Sequence, residues 1–262
     1  MFARFATRAL IAMAIAATSA CSAWNPFAAH YEYEEQVYLT VDGRATIVVD
    51  ASLPALVALR GVAIDPASFA SIDRDGVRRV IEAGGCRVDS VSRLWTRSGR
   101  RFAQVQITLD DVRQPQTCGL LAWSSYALTA SAPDEIEYRQ LVGAPAAGAV
   151  AAAGWNGTEL VAFKLHAPSR VRYQNVKLLD GSDGSVERGN IFTWEQRLSD
   201  RLAGKPVTID VRMDATSILH TTLWLFAGAF GAAVLLLVVV IWMIVRRGRR
   251  LVAGQKRNAG QA

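Results

Sequence analysis

The sequence predicts an α+β domain, mainly antiparallel sheet with two to three helices, followed by one C-terminal transmembrane helix. Three observations carry this prediction. The stretches "RFAQVQITL" (101–109) and "PVTIDVRMD" (206–214) alternate apolar and polar residues with the period of a half-buried strand. Residues 54–61 and 73–85 are short segments with helix punctuation at both ends. Residues 221–245, "TTLWLFAGAFGAAVLLLVVVIWMIV", hold no charge and as a helix would be about 37 Å long, enough to cross a hydrocarbon layer of about 30 Å with modest tilt.

The elements follow in order. "HYEYEEQVYLTVDGRATIVVDASL" (30–53) is two extended runs around Asp42-Gly43, a dipeptide suited to a tight hairpin because glycine adopts positive φ freely. "PALVALRG" (54–61) has Pro in its first turn and Gly at its end, as a short helix does. In "DRDGVRRVIEAGG" (73–85), Val77, Val80 and Ile81 form one apolar helical face and Gly84-Gly85 closes it. "RVDSVSRLWT" (87–96) is the expected hairpin partner of 101–109, and "LLAWSSYALTAS" (120–131) that of "EIEYRQLV" (135–142). Residues 143–156 shift sharply to Ala, Gly and Pro, the composition of a connector. Extended runs resume at 158–168, 170–179, 190–198 and 206–214. Roughly nine strands result, so hairpins dominate the class. The expected organisation is a signal peptide (1–20), an α+β lobe (21–142), the connector (143–156), a β-rich lobe packing on the first (157–215), the transmembrane helix (219–245) and a basic tail (246–262).

The charge distribution excludes one function class. The net charge is +6, but two positive charges lie in residues 1–20 and six in 246–262, with no acid in either, which leaves −2 for residues 21–245. A nucleic-acid surface needs lysine and arginine clustered on a folded face, so no nucleic-acid partner is expected. The N-terminus has the parts of an export signal: Arg4 and Arg8, the apolar stretch 9–17, then small residues. Cys21 follows directly, and the segment resembles a bacterial lipobox, which implies lipid attachment at Cys21. Thr18 stands where such motifs carry an aliphatic residue, so ordinary cleavage after Ala20 or Ala23 is the alternative. Arg246, Arg247, Arg249 and Arg250 follow the apolar span at once, which predicts a cytoplasmic C-terminus and an extracytoplasmic domain held at the cytoplasmic membrane. Trp224 and Trp242, 18 residues apart, are placed to anchor at the two interfaces. Ala227, Gly228, Gly231 and Ala232 have the small-residue spacing that permits a weak homodimer through this helix.

Export puts Cys86 and Cys118 in an oxidising compartment. A disulfide between them would close a loop of roughly 30 residues and contribute about 3 kcal/mol in the chain-entropy model; two buried thiols are the alternative. No catalytic or metal site and no cofactor is expected. His30, His166 and His220 lack metal-ligand spacing. The acidic cluster Glu32, Glu34 and Glu35 is expected on a solvated strand face. Aromatic residues on the strands, Tyr33, Trp123, Phe163 and Trp194 among them, are expected to fill the core, with an apolar groove lined by them as the alternative.

"HAPSRVRYQN" (166–175) and "GNIFTWEQRL" (189–198), with Pro168, Asn175 and Trp194, and the opening hairpin "VDGRATIVVDASL" (41–53) resemble the closing and opening hairpins of the LppM-type bacterial lipoproteins. The layout of lipobox, antiparallel α+β domain and C-terminal span is similar as well. The resemblance implies a lipid-binding fold and a link to envelope glycolipids. The expected function is therefore a non-enzymatic, membrane-tethered extracytoplasmic domain that binds a lipid, glycolipid or envelope protein. A structural subunit of an envelope complex is the alternative, and an enzyme acting on envelope lipid or glycan the third.

Overall fold

The computed structural model describes residues 30–66, 72–114, 117–146, 153–184 and 190–259. Residues 1–29, which hold the expected signal segment and Cys21, residues 147–152 of the expected connector and the last three residues of the chain lie outside the described residues. The chain divides into two units, Met1–His30 and Tyr31–Ala262; of the first, His30 alone is described, and it is exposed.

The second unit is α+β. It begins with the hairpin β1 (Tyr31–Leu39) and β2 (Ala45–Ser52), then α1 (Leu53–Arg60) and α2 (Arg74–Ala83). Next come β3 (Ser90–Val91), β4 (Trp95–Arg97), β5 (Arg100–Leu109), β6 (Ser124–Ala132) and β7 (Glu135–Val142). The chain continues through β8 (Leu160–His166), β9 (Val171–Gln174), β10 (Ile191–Arg197), α3 (Leu198–Leu202), β11 (Val207–Asp214) and α4 (Ile218–Ala259).

Two sheets result. One runs β10-β8-β1-β2-β5-β3, with β4 also on β5; the other runs β6-β7-β11-β9. The pairings are antiparallel except for β1 with β8, which is parallel with Tyr38 opposite His166. Strands from both sides of residues 143–156 therefore enter both sheets. The strand expected over 87–96 is two short pieces on β5, because Ser92 N keeps its bond to Gln104 O at 3.0 Å while the next residues leave the ladder. The strand expected from residue 120 begins at Ser124, because turn bonds from Leu121 N to Cys118 O and from Ser124 N to Leu121 O occupy the preceding segment.

The inner faces of both sheets and α1 share one core, which includes Tyr33, Ile47, Leu56, Phe163, Tyr138 and Val211. The three residues of the closing-hairpin pattern are structural staples. Asn175 Oδ1 accepts from Trp194 Nε1 on β10 and from Asp210 N on β11, both at 3.0 Å, and so joins the two sheets. Pro168 O accepts from Ile218 N at 3.1 Å and fastens the start of α4 to the β8–β9 connection. Arg172 reinforces the junction with ion pairs to Asp134, Glu135 and Asp214.

Within α4, Thr222–Ile244 has a mean hydropathy of 2.6 and no buried residue, so by length and composition it can cross a membrane. Trp224 and Trp242 are exposed on it, and the Arg246 guanidinium lies 4.9 Å from the Trp242 ring centroid. The helix does not stop at the arginines but continues to Ala259, carrying Arg247, Arg249 and Arg250 on helical backbone; the Leu, Ala, Gln and Lys that follow are good helix formers.

Candidate functional site

Among the described residues, a half-open cavity of about 500 Å³ lies between the end of α1, the loop that follows it, α2 and the turn at Gly119-Leu120. Val62, Val80, Ile81 and Leu120 give it apolar walls, and Arg60 and Arg79 supply two guanidinium groups. Its size is that of a small-molecule pocket. None of the strand aromatics lines it. Tyr33, Tyr138, Phe163, Trp123 and Trp194 are buried in the core instead, so the groove lined by them is not formed there.

The sequence builds the walls differently. "LPALVALR" is apolar around its whole circumference, so α1 is buried on nearly all sides. Ser52 Oγ caps it by accepting from Ala55 N, and Gly61, at φ 62°, ends it in the left-handed conformation that glycine adopts without penalty. At its last residue Arg60 donates Nε to Leu120 O at 2.8 Å and Nη2 to Gly119 O at 2.5 Å. The α1 wall is thereby bonded to the turn that forms the cavity's other side. By contrast, α2 is amphipathic. Asp73 caps it by accepting from Gly76 N at 2.8 Å, Val77 and Ile81 face inward, and Val80 lines the cavity.

Cys86 and Cys118 are joined by a disulfide with a Cα–Cα distance of 4.1 Å. The bridge ties the end of α2 to the 117–120 turn. The approach is so close that a Cβ on Gly85 would stand 2.7 Å from Thr117 O, and Gly85 also has φ +83°. Each half-cystine thus has a glycine neighbour for a steric reason, and "GGC" and "CGL" were the signals in the sequence that could have located this wall.

Beneath α1 lies a buried polar centre. Glu35 is 0 % exposed, against the expectation of a solvated acidic face. It sits on the inward side of β1 and accepts from Tyr126 Oη at 3.0 Å, Gln140 Nε2 at 2.8 Å, Tyr33 Oη at 3.0 Å and Trp123 Nε1 at 3.4 Å. Four donors, three of them from segments distant in the chain, make its burial tolerable. Glu32 is buried too, held by Arg100 at 2.8 Å and by Trp155 Nε1 at 3.2 Å. The Arg60 guanidinium stacks 4.4 Å from the Trp123 ring centroid and connects the cavity to this centre. Arg201, fully buried, lies 5.4 Å from the same ring and donates to Gly143 O at 2.7 Å. Burial, and to a lesser degree Glu35, push the Tyr33 and Tyr138 hydroxyls well above their ordinary range, and Tyr126 behaves alike. Burial lowers the Arg60 pKa, opposed by the neighbouring Tyr33 and Glu35.

Among the described residues, no group of three His, Cys, Asp or Glu side chains is placed to hold a metal ion. The residues singled out in the sequence are not brought to one place. Gly84 and Gly119, near the disulfide, line the cavity, and Trp224, Trp242, Arg246, Arg247, Arg249 and Arg250 lie on α4. Of the cavity residues, Val80 and Ile81 were legible as the apolar face of a helix, whereas Val62, Leu120, Arg60 and Arg79 carried no site motif.

No protein-family model and no curated protein matches the chain. Among solved structures, the chain has a weak resemblance to the NMR structure of the folded domain of LppM from Mycobacterium tuberculosis, at 13% identity and a TM-score of 0.38, over 74% of this chain and 96% of that one.

Proposed function

We propose that this chain is a membrane-tethered extracytoplasmic protein that binds an envelope lipid or glycolipid, taking an acyl chain into the cavity between α1 and α2, and that it works by binding rather than by chemistry. The observation that carries the reading is the cavity itself. It is apolar along its walls, large enough for one acyl chain, and has the exposed Arg79 guanidinium at its edge for an anionic headgroup. Arg79 has no ion-pair partner among the described residues. The tether supports the same reading, because the domain is fastened at Pro168 to an apolar helix long enough to span a bilayer. The four arginines after that span favour a cytoplasmic C-terminus in the inner membrane, and Cys21 is the proposed site of a second, lipid anchor.

Native mass spectrometry of the full chain in detergent tests the reading. A co-purified lipid of defined mass is the expected result, whereas a lipid-free domain that captures one defined protein would overturn it. A second reading, a subunit of an envelope protein complex, is favoured by one feature. Strand β6 is a nine-residue sheet edge without a single charged residue, and such an edge is a template for an added strand.

A further inference from the structure

The Cys86–Cys118 bridge stands between two hollows. Gly84 and Gly119 border the apolar cavity. Gly85, Arg87, Thr117 and Cys118 border a second, more polar hollow of about 270 Å³, to which Asp110 also belongs. The disulfide thus lies beside both spaces, and Cys118, itself buried, lines the polar one. It is also the one covalent tie between the two segments it joins. Among the described residues, the single hydrogen bond between the end of α2 and the 117–120 turn is Gly119 N to Gly84 O at 2.8 Å. Glycine backbone makes the closest approach, Gly85 to Thr117 and Gly119 to Gly84, beside the buried side chains Ile81 and Leu120. Helix α2 itself buries three of its ten residues, Gly76, Val77 and Ile81.

We propose that this disulfide is a redox-operated latch on the apolar cavity: oxidised, it holds α2 against the 117–120 turn and shapes the cavity for an acyl chain; reduced by a dithiol, it frees that wall and the occupant is lost. The inference rests on the lipid-binding reading of the cavity. The exchange balances in two steps. One thiolate of the dithiol enters through the polar hollow and attacks Cys118 Sγ; the Cys86–Cys118 bond breaks, Cys86 leaves as a thiolate, and a mixed disulfide forms on Cys118. The second thiol of the reagent then displaces Cys118. The dithiol loses two electrons and becomes a disulfide, and the two cysteines gain them and take up the two protons it released. The same hollow holds the charged residues Arg87, Asp110 and Asp111.

The test uses the full chain in detergent with an anthroyloxy-labelled fatty acid as probe. Affinity is measured for the oxidised protein, after reduction by dithiothreitol and after re-oxidation, with the double variant Cys86→Ser/Cys118→Ser as a permanently open form. Native-state hydrogen exchange is recorded alongside. The expected result is a weakening of about tenfold or more on reduction, within the usual span of coupling between two sites, reversed by re-oxidation, with protection lost in 74–83 but kept in β1, β2 and β5. Equal affinity in both redox states would overturn the latch while leaving the lipid site standing. Loss of protection throughout the sheets would also overturn it, since the disulfide would then be a staple of the whole domain. Absence of probe binding in every form would overturn the latch together with the reading it rests on.

Discussion

The two helices that wall the cavity are opposites. Helix α1 buries seven of its eight residues, and its last side chain is bonded to the backbone of the facing turn. Helix α2 buries three of ten, keeps its charged face in water and is held at its end by a disulfide. Both have capped N-termini and a glycine at the end, so the difference does not lie in helix formation. It lies in what surrounds each helix: α1 is part of the core, whereas α2 rests on it. A cavity with one fixed wall and one lightly docked wall is suited to admitting and releasing a ligand, because the segments that move in binding come from the least stable part of a fold.

Substitutions in each helix test whether the two walls differ in this way. The largest effect is expected on the α1 side from Arg60→Leu, which leaves Gly119 O and Leu120 O without their donor and removes the positive charge near Glu35. A loss of about 3–5 kcal/mol in denaturant unfolding is expected, the scale for breaking a buried charge arrangement. Next comes a matched pair. Leu56→Ala in α1 should cost about 3–4 kcal/mol and Ile81→Ala in α2 about 1–2 kcal/mol, because the first leaves a cavity in the core and the second a site that collapses toward solvent. Equal losses would erase the distinction between the walls. The centre beneath α1 also carries a pH signature. The folded-state pKa values of Tyr33, Tyr126 and Tyr138 are raised above the ordinary 10.0, so their contribution is fully present below that pH and is lost as pH rises through the folded-state values. Tyrosinate absorbance should show these three ionising only as the domain unfolds. The smallest effect is expected from Arg74→Ala on the exposed face of α2, whose ion pair with Asp75 is solvated on both sides; a change within about 0.5 kcal/mol should be found.

Much of the fold was legible because it is local. The alternation in 101–109 and 206–214, the Asp42-Gly43 turn and the proline and glycine that bracket α1 each state their structure within a few residues. The parallel entry of β8 beside β1 was not legible, because period and turn chemistry do not encode which distant strands become neighbours. Glu35 was misplaced for the same reason. Beside Glu32 and Glu34 it reads in the sequence as part of an acidic run expected to face solvent, whereas donors from residues 33, 123, 126 and 140 hold it inside. The candidate site was the least legible part. Its walls come from a loop, one face of α2 and a turn, and the aromatic residues that suggested a groove were needed to fill the space between the sheets.

The proposed lipid-binding role requires an acyl chain to occupy the cavity. Val80→Trp places a large side chain into it from the lightly docked wall, on an helix face that is only partly buried. With the labelled fatty acid as ligand, affinity should fall about tenfold or more, the scale of losing about 1.4 kcal/mol of binding, while the denaturation midpoint stays near that of the unaltered chain. Binding undiminished by the filled cavity would contradict it.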